Sequence, residues 1–241
     1  NITVVPEIEL PGHARAAIAA YPELSCNETF LPVPGLWGVF DDIFCSKPET
    51  VQFLKNVLDE VVELFPSEYI HIGGDEAPKT RWEKCVNCRK VMAKNHLENE
   101  HQLQSHFIQQ IDDYLTSKGK KIIGWDEILE GGGLPKNTAV MSWRGIKGGI
   151  QAANDGHQVV MTPNSNVYLD LMQGDGIIEP PVYETVRLKN SYDFNPVPEG
   201  VNAALIKGGQ ANLWSEQLFT YRHLQYMLYP RAWAVAEDLW S

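Results

Sequence analysis

Apolar residues along the chain fall into short runs that are separated by longer amphipathic stretches. Each run is apolar at nearly every position, a pattern typical of strands buried on both faces of a parallel sheet. The predicted strands are Ile2–Val5, Tyr69–Ile72, Lys121–Gly124, Ala139–Ser142, Gln158–Met161 and Leu205–Gly208. Strands that alternate with helical patterns indicate an α/β fold.

The amphipathic stretches repeat their apolar residues at the three- and four-residue spacing of a helix face. The predicted helices are Glu49–Phe65, Lys79–Asn95, Glu100–Lys118, Gly145–Gly156 and Ser215–Ala236. Two long stretches rich in Pro, Gly and Asn remain, at about 22–48 and 163–203. Loops of that length in a compact domain are usually functional.

Polar and aromatic residues cluster at the carboxyl ends of all the predicted strands. They are Glu7, Glu9, His13, Asp75, Glu76, Trp125, Asp126, Glu127, Trp143, Arg144, Tyr168, Asp170, Trp214, Ser215 and Glu216. A (β/α)8 barrel builds its active site from the loops at this end of many strands, whereas a doubly wound sheet uses only those near its switch point. The presence of such residues at the ends of all six predicted strands favours a TIM barrel. Because six strands do not complete eight, we expect a partial barrel of about six C-terminal βα units, with about two units before residue 1.

Composition and charge narrow the possible functions. The 241 residues are 44% hydrophobic, which suffices for one large core, and no linker divides a single domain over residues 1–241. The net charge of −11 argues against nucleic acid or an anionic membrane as the main partner. No apolar run reaches the roughly 18 residues of a transmembrane helix, and the sequence contains no signal peptide.

Four cysteines, Cys26, Cys45, Cys85 and Cys88, permit several roles. Two disulfides or a zinc site are possible, and Cys85 and Cys88 have the C-x-x-C spacing of redox proteins. This pair lies inside a helical pattern and not at the start of a helix after a strand, which argues against redox catalysis. Because no second C-x-x-C supports zinc, structural thiols or disulfides are the favoured interpretation.

Asp75 and Glu76 follow the second predicted strand directly after Gly73 and Gly74. Adjacent side chains of a regular strand point to opposite faces, but glycines permit backbone angles that let both carboxylates face the barrel mouth. Two close carboxylates in a partly dry site raise one pKa, so that one can act as a general acid. Glu76 could instead cap the next helix, with Pro78 in its first turn. Catalysis is the favoured interpretation.

Three tryptophans, Trp125, Trp143 and Trp214, each follow a different strand. One such residue would indicate core, but three at equivalent strand ends favour a lined pocket for a sugar. Residues two apart in an extended chain have side chains on the same side, as expected for two groups that bind one ligand. Two pairs after the predicted strands have this spacing. These pairs are Tyr168 with Asp170 and Trp214 with Glu216.

His13 and Glu9 lie on either side of a Pro-Gly turn after the first predicted strand. A histidine there can hydrogen-bond a catalytic carboxylate and tune its pKa, although a single histidine is more often structural. A metal site is the alternative, because His13, His71, Asp75 and Glu76 are ligand types. The chain has no H-x-H or H-E-x-x-H pair, and His71 is expected to face the core or the helix layer. No metal site is predicted here.

Six motifs occur in order, from residue 4 to about residue 238. They are VVPEIELPGH, HIGGDEAP, IGWDEIL, MSWRG, YLDL and GGQANLWSE. Together they resemble the motifs of the β-N-acetylhexosaminidases of glycoside hydrolase family 20, a substrate-assisted exception among glycosidases. The resemblance covers nearly the whole chain.

The resemblance implies roles for the matching residues. Asp75 matches the aspartate that orients the substrate's 2-acetamido group, and Glu76 matches the general acid/base. His13 matches the histidine that hydrogen-bonds the acid, and Tyr168 matches the donor to the acetamido oxygen. Residues matching the sugar-binding groups are Trp125, Trp143 and Trp214 around the acetamido methyl, Asp170 and Glu216 at hydroxyls, and Glu9, where many members carry Asp.

The activity implied by the resemblance is exo-acting, retaining hydrolysis of terminal β-linked N-acetylglucosamine or N-acetylgalactosamine from glycans or chitin fragments such as chitobiose. The acetamido oxygen would attack the anomeric carbon to form an oxazolinium ion, so neither a metal nor an organic cofactor is expected. Alternatives are a classical two-carboxylate glycosidase, a non-catalytic sugar-binding barrel and a metal-dependent hydrolase. The substrate class and the cysteines favour a location outside the cytoplasm.

Two motif positions of the family have no counterpart here. The family carries an arginine on its first barrel strand and an aspartate after the second, and an α/β domain precedes the barrel. The resemblance therefore implies a fragment of the catalytic domain, and the isolated fragment is not expected to match the complete enzyme in activity.

Overall fold

Strands and helices alternate along the chain, as the sequence predicts for an α/β fold. A computed structural model describes residues 2–180 and 182–241. In these residues the strands are β1 (Glu7–Leu10), β2 (Tyr69–Gly73), β3 (Lys121–Trp125), β4 (Ala139–Ser142), β5 (Gln158–Met161) and β6 (Ile206–Gly209). The helices are α1 (Arg15–Ala20), α2 (Pro48–Leu64), α3 (Thr80–Lys84), α4 (Val86–Lys94), α5 (Glu100–Ser117), α6 (Lys147–Asn154), α7 (Asn164–Val167), α8 (Leu188–Tyr192), α9 (Tyr221–Leu228) and α10 (Arg231–Trp240).

The chain divides into two compact units, one ending at Ala139 and the other starting at Val140. In the first unit β1, β2 and β3 are parallel neighbours in chain order, with Glu7 opposite His71. All five residues of β2 are buried. The predicted burial of this strand on both faces is therefore confirmed.

Helix α5 packs against β3 and α2 in the first unit. Its buried apolar residues recur at three- and four-residue spacing, as expected for one face of a helix: Leu103, Phe107, Ile108, Ile111 and Leu115. The Asn99 side chain caps the helix by accepting a hydrogen bond from the Gln102 N–H at 3.0 Å. The cap and the apolar stripe explain why the predicted helix agrees with the observed one to within a residue.

The predicted position of the first strand is wrong. Ile2–Val5 is not a strand, and Ile2 is 95% exposed. The observed strand β1 starts at Glu7, because the N–H of His71 donates to the Pro6 carbonyl at 2.9 Å and the pairing with β2 begins there. Glu7 and Glu9 thus lie within a strand and not after it.

Two predicted helices are each divided in the structure. The stretch 79–95 forms α3 and α4, which are separated by the extended backbone of Cys85 at φ −78° and ψ 122°. The stretch 215–236 forms α9 and α10, because Pro230 lacks the N–H that a continuous helix would need there. The long loops also contain short 3-10 turns at Pro22–Leu24 and Ala203–Leu205.

In the second unit β4, β5 and β6 follow one another in chain order. Strands β5 and β6 are parallel, with Val160 opposite Gly208 and Met161 opposite Gly209. Helix α6 packs on β5, and α10 packs on α8. None of the helices in the described residues is both long and apolar enough to cross a membrane.

Candidate active site

The turn after β2 positions the two adjacent acids in the first unit. Gly73 has φ +67° and Gly74 has φ +95°, a region that favours glycine. A Cβ on Gly73 would lie 2.1 Å from an oxygen of Glu9, so a larger residue would displace the Glu9 carboxylate. Gln104 of α5 holds the turn by donating to the Gly74 carbonyl at 2.7 Å. The predicted role of the glycines in turning the backbone is confirmed.

His13 bridges Asp75 and Glu76. Its Nε2 lies 3.4 Å from Asp75 Oδ2 and 3.3 Å from Glu76 Oε2. Hydrogen bonds with Asp75 and then Glu76 raise the pKa of His13 to about 10, so the imidazole is protonated at neutral pH. His13 and Glu76 have φ +49° and +43°, a strained conformation for residues with a Cβ. Strain of this kind is typical of functional sites.

Capping by Glu76 is not what the structure shows. Helix α3 starts at Thr80, its N-cap residue is Lys79, and no side chain forms a capping hydrogen bond there. Pro78 therefore precedes the helix and does not lie in its first turn. The alternative role for Glu76 is excluded, which leaves its carboxylate to the contact with His13.

Glu9 is protonated at neutral pH, which the sequence alone did not predict. Partial burial, followed by the negative charges of Asp75 and Glu7, raises the pKa of Glu9 to about 9. Glu9 is thus neutral at pH 7, and one negative charge fewer surrounds Asp75. The interaction between Glu7 and Glu9 could have been predicted from their spacing, because residues two apart on a strand have side chains on the same face.

Glu7 remains ionised in a network with His71 and Trp125. Partial burial raises the pKa of Glu7, but a hydrogen bond and the charge of His71, with weaker contributions from Glu9 and Trp125, lower it overall. Trp125 Nε1 donates to Glu7 Oε1 at 2.9 Å, and His71 Nδ1 lies 3.0 Å from the same oxygen. Trp125 is 2% exposed and its ring centroid lies 4.8 Å from that of His71. Its predicted role as a wall of a sugar pocket stays a prediction.

Three ligand-type side chains converge at this turn. His13, Asp75 and Glu76 each place a donor atom within 4.8 Å of the others, a spacing that a metal ion could also span. His71 is directed instead toward Glu7. Because a protonated His13 between two carboxylates accounts for the arrangement by charge alone, the residues fit an ion pair better than a metal site.

His13 is expected to stabilise the fold in a pH-dependent way. Its pKa is higher in the folded state, so the stabilisation is complete below the unfolded pKa near 6.5 and is lost as pH rises towards about 10. His13→Gln should lower the melting temperature by a few degrees at pH 6, roughly, and by much less at pH 9.5. Thermal unfolding at both values, with His223→Gln as the matched control, checks this. An equal loss at both pH values would contradict the protonated bridge.

In the second unit Tyr168 forms a cluster of three aromatic rings with Trp143 and Trp214. The ring of Trp143 is stacked on that of Tyr168, with centroids 6.1 Å apart and planes 11° apart. Trp214 meets Tyr168 edge-on at 6.3 Å. Burial raises the pKa of Tyr168, and this effect outweighs the opposing effect of neighbouring polar groups. The hydroxyl is therefore neutral and able to donate a hydrogen bond at any physiological pH.

Asn212 and Asp170 complete this cluster. The backbone of Asn212 brackets Tyr168: its N–H donates to Val167 at 2.9 Å, and its carbonyl accepts from Leu169 at 2.7 Å. Burial raises the pKa of Asp170 to about 6. Its Oδ1 is buried and has no hydrogen-bond partner within residues 2–180 and 182–241. Asp170 thus offers an acceptor to a ligand, whereas Glu216 lies in an exposed turn.

Arg231 fixes the segment that carries Asp170. It is 0% exposed, and its guanidinium donates to four backbone carbonyls at 2.7–2.8 Å. These belong to Leu169, Leu171, Val186 and Met227. Burial lowers the pKa of Arg231 to about 10, so it stays charged at neutral pH. Sequence reasoning missed this residue, and the only signal was a cation directly before the apolar run Ala232–Ala236.

Arg231→Lys should destabilise the second unit. An ammonium cannot reach all four carbonyls, and orphaned buried carbonyls should lower the free energy of unfolding by about 3 kcal/mol. The expected fall in melting temperature is about 10 °C. The exposed Arg222→Lys in α9 is the matched control and should leave the melting temperature unchanged. A similar melting temperature for the two variants would mean that Arg231 does not hold the segment.

Comparison with known proteins identifies the family. The model of the glycosyl hydrolase family 20 catalytic domain matches residues 1–241. A β-hexosaminidase of Porphyromonas gingivalis is 50% identical over 100% of this chain and 32% of its own length. A β-hexosaminidase of Vibrio furnissii is 35% identical over 98% of this chain and 40% of its own. The chain thus spans less than half the length of these relatives.

Solved structures show the same fold. The β-N-acetylhexosaminidase from Bacteroides fragilis has a TM-score of 0.88 at 36% identity, covering 99% of this chain and 48% of that one. The exo β-N-acetylglucosaminidase from Vibrio harveyi, in complex with N-acetylglucosamine, has a TM-score of 0.88 at 32% identity over 100% of this chain and 39% of that one. The predicted fold class, an α/β chain that forms part of a TIM barrel, is confirmed. The chain belongs to glycosyl hydrolase family 20, within its catalytic domain.

Proposed function

We propose that the protein containing this sequence is an exo-acting, retaining β-N-acetylhexosaminidase. The observation that carries the proposal is the pair Asp75 and Glu76 on a strained turn, bridged by protonated His13. Membership in family 20 supports the reaction type, and the similar Vibrio harveyi enzyme binds N-acetylglucosamine. The proposed substrates are glycans with a terminal N-acetylhexosamine.

Asp75 and Glu76 differ in exposure in a way that suits two roles. The Asp75 side chain is 13% exposed, and its Oδ1 is buried without a hydrogen-bond partner in the described part of the chain. This oxygen can accept the N–H of the substrate's acetamido group. The Glu76 side chain is 38% exposed and can reach the oxygen that leaves with the rest of the glycan. Two side-by-side acids therefore serve two different atoms of one sugar.

The proposed reaction has two steps. The acetamido oxygen attacks the anomeric carbon while the bond to the leaving oxygen breaks, and Glu76 gives that oxygen its proton. The product is an oxazolinium ion whose positive charge Asp75 stabilises. Glu76 then takes a proton from a water molecule, which attacks the anomeric carbon and opens the ring. Because both steps invert the anomeric carbon, the net outcome is retention.

The charges around the acids support this proposal. Asp75 must stay ionised to stabilise a cation, and protonated His13 lies 3.4 Å from its carboxylate. Glu9 is neutral at pH 7, so it adds no repulsion next to Asp75. His13 also holds the carboxylate of Glu76 in place between the two steps of the reaction, before Glu76 takes a proton from water. The site thus combines one fixed anion with one acid that exchanges protons.

The aromatic cluster of the second unit is proposed to bind the N-acetyl group. Trp143, Tyr168 and Trp214 offer apolar ring surface for a methyl group, and the neutral Tyr168 hydroxyl can donate to the acetamido oxygen. Asp170 has a free buried oxygen for a sugar hydroxyl. Glu216 is proposed to bind a second hydroxyl. An acetamido oxygen held in one orientation is close to its attacking geometry, which raises the rate of the first step.

A substrate comparison tests the proposed function. The protein that contains this sequence is given an aryl β-N-acetylglucosaminide and the matching aryl β-glucoside, each with and without a thiazoline analogue of the oxazolinium ion. We expect cleavage of the acetamido sugar only, blocked by the analogue. Cleavage of both sugars, unaffected by the analogue, would instead indicate a nucleophile on the enzyme and a classical two-carboxylate mechanism.

The substrate class also supports a location outside the cytoplasm, where glycans with exposed N-acetylhexosamine are found. Fractionation of the source cells, with hexosaminidase activity assayed in each fraction, tests this part of the proposal. Activity confined to the cytoplasmic fraction would contradict it.

A further inference from the structure

The four cysteines of the chain converge on one point in the first unit. All four sulfurs lie within 4.8 Å of one another. Three pairs are 3.7 Å apart: Cys26 with Cys88, Cys45 with Cys85, and Cys45 with Cys88. Of the two favoured interpretations, structural thiols or disulfides, the structure shows thiols, because all four cysteines are free.

The sulfur spacing matches a tetrahedral metal site. Four thiolates at about 2.3 Å from a zinc ion are separated from one another by about 3.8 Å, which follows from the geometry of a tetrahedron. A disulfide requires about 2.05 Å between sulfurs and joins them in exclusive pairs. Here Cys45 is equally close to Cys85 and Cys88, so the cluster is not divided into two pairs.

The backbone supplies the four sulfurs from two neighbouring segments. Ser25 and Phe44 form an antiparallel bridge, and Cys26 and Cys45 follow these two residues, one on either side of the bridge. Their sulfurs lie within 4.8 Å of each other. Cys85 is the N-cap residue of α4 and Cys88 lies in its first turn, so the C-x-x-C pair spans a helix start. Zinc sites commonly take two ligands with this spacing at the start of a helix. The break between α3 and α4 is what turns both sulfurs to the same point.

The surroundings suit a buried cluster of thiolates. Cys45, Cys85 and Cys88 are buried and Cys26 is half-buried, among apolar neighbours that include Ile43, Trp82 and Leu103. An apolar shell disfavours four separate thiolates, whereas a bound cation would offset their negative charge.

We propose that Cys26, Cys45, Cys85 and Cys88 bind one structural zinc ion. Binding would displace the thiol protons to solvent and involve no oxidation or reduction. All four ligand positions would come from the protein, which is typical of a structural site and not of a catalytic one. The ion would join the loop after α1 to the start of α4. These segments follow the turns that carry His13 and the Asp75–Glu76 pair, so zinc would hold together the two loops that bring these residues into contact.

Metal analysis of the purified protein tests the proposal. The protein that contains this sequence is prepared without chelators, and its metals are identified and counted by mass spectrometry. We expect one zinc per chain in the wild type and in His13→Gln, which alters the other cluster of ligand-type residues, and loss of that zinc in Cys88→Ser. Removal of zinc should lower the melting temperature by about 10 °C or more, restored when zinc is returned.

Cobalt substitution keeps the test informative where Cys88→Ser fails to fold. Wild-type protein reconstituted with Co²⁺ should show the strong visible bands of a tetrahedral ion and the near-ultraviolet charge transfer of cobalt–thiolate bonds. Alkylation of the unfolded, unreduced wild-type protein, followed by mass spectrometry of its peptides, should find Cys26, Cys45, Cys85 and Cys88 as thiols once the metal is chelated. Two disulfides in place of thiols, loss of the metal in His13→Gln with retention in Cys88→Ser, or four thiols that bind neither zinc nor cobalt would each overturn the proposal. None of these outcomes depends on hexosaminidase activity.

Discussion

Glu76→Gln is expected to lower kcat/KM for natural glycosides by about 10²–10⁴-fold, the usual contribution of a general acid. Glutamine has nearly the same shape but no proton to give to the leaving oxygen. An aryl glycoside with a strongly acidic phenol needs little protonation in the first step, so the loss in that step should be far smaller for this substrate. The ratio of the two losses is therefore the informative quantity, more than either loss alone.

Steady-state kinetics on both substrates measures this ratio. The exposed Glu63→Gln in α2 is the matched control and should behave as wild type on both. Thermal unfolding of Glu76→Gln establishes that the fold is intact. The positive φ of +43° at position 76 is retained in the variant, so no new backbone strain is introduced. Equal losses on the two substrates would remove Glu76 from the role of acid.

Asp75→Asn is expected to lower kcat by about 10²–10³-fold while changing KM little. Asparagine can still accept the acetamido N–H, but it has no charge to stabilise the cation that forms as the acetamido oxygen attacks. The interaction lost is therefore one that strengthens toward the transition state, and such losses appear in kcat. Protonated His13 would also lose one of its two anionic partners.

Binding measurements separate this charge effect from a loss of substrate affinity. The thiazoline analogue, which carries positive charge when protonated, should bind Asp75→Asn much more weakly than wild type. N-acetylglucosamine, which is neutral, should bind the two proteins nearly equally. Asp113→Asn, an exposed change in α5, is the matched control. Unchanged turnover in Asp75→Asn would exclude Asp75 from the mechanism.

The positions of the buried strands β4 and β5 were predicted correctly from the sequence, but the position of β1, which carries Glu7 and Glu9, was not. The ranges of β4 and β5 agree with prediction at every residue, because an apolar run bounded by polar residues coincides with a buried strand. Strand β1 was misplaced because it carries Glu7 and Glu9, which bind His71, Trp125 and each other and do not pack in an apolar core. Local patterns are least reliable where function has replaced apolar residues by polar ones.

Much of the cluster formed by His13, Asp75 and Glu76 could be predicted from local motifs. Asp75, Glu76 and the two glycines are contiguous, and His13 follows a strand end. The protonation of Glu9 could not be predicted, because it depends on burial and on charges from two separate segments. The same limit applies to Arg231, whose carbonyl partners in 169–186 lie more than forty residues away in sequence.

The cysteine cluster shows why the spacing of cysteines along the sequence is insufficient to predict a metal site. The search for a second C-x-x-C argued against zinc, but Cys26 and Cys45 are brought together by the bridge between Ser25 and Phe44. That bridge lies in a loop whose structure no periodicity indicates. A pair of ligands that tertiary structure assembles leaves no spacing signal in the sequence.

The central claim is that the substrate's own acetamido oxygen is the nucleophile, and a series of fluorinated substrates tests it most directly. Aryl β-glucosaminides with one leaving group carry N-acetyl, N-fluoroacetyl, N-difluoroacetyl and N-trifluoroacetyl groups, which differ in the nucleophilicity of the carbonyl oxygen and little in size. We predict that kcat/KM falls with each added fluorine. A value of kcat/KM that does not change along the series would contradict participation by the acetamido group and would place the nucleophile on the enzyme.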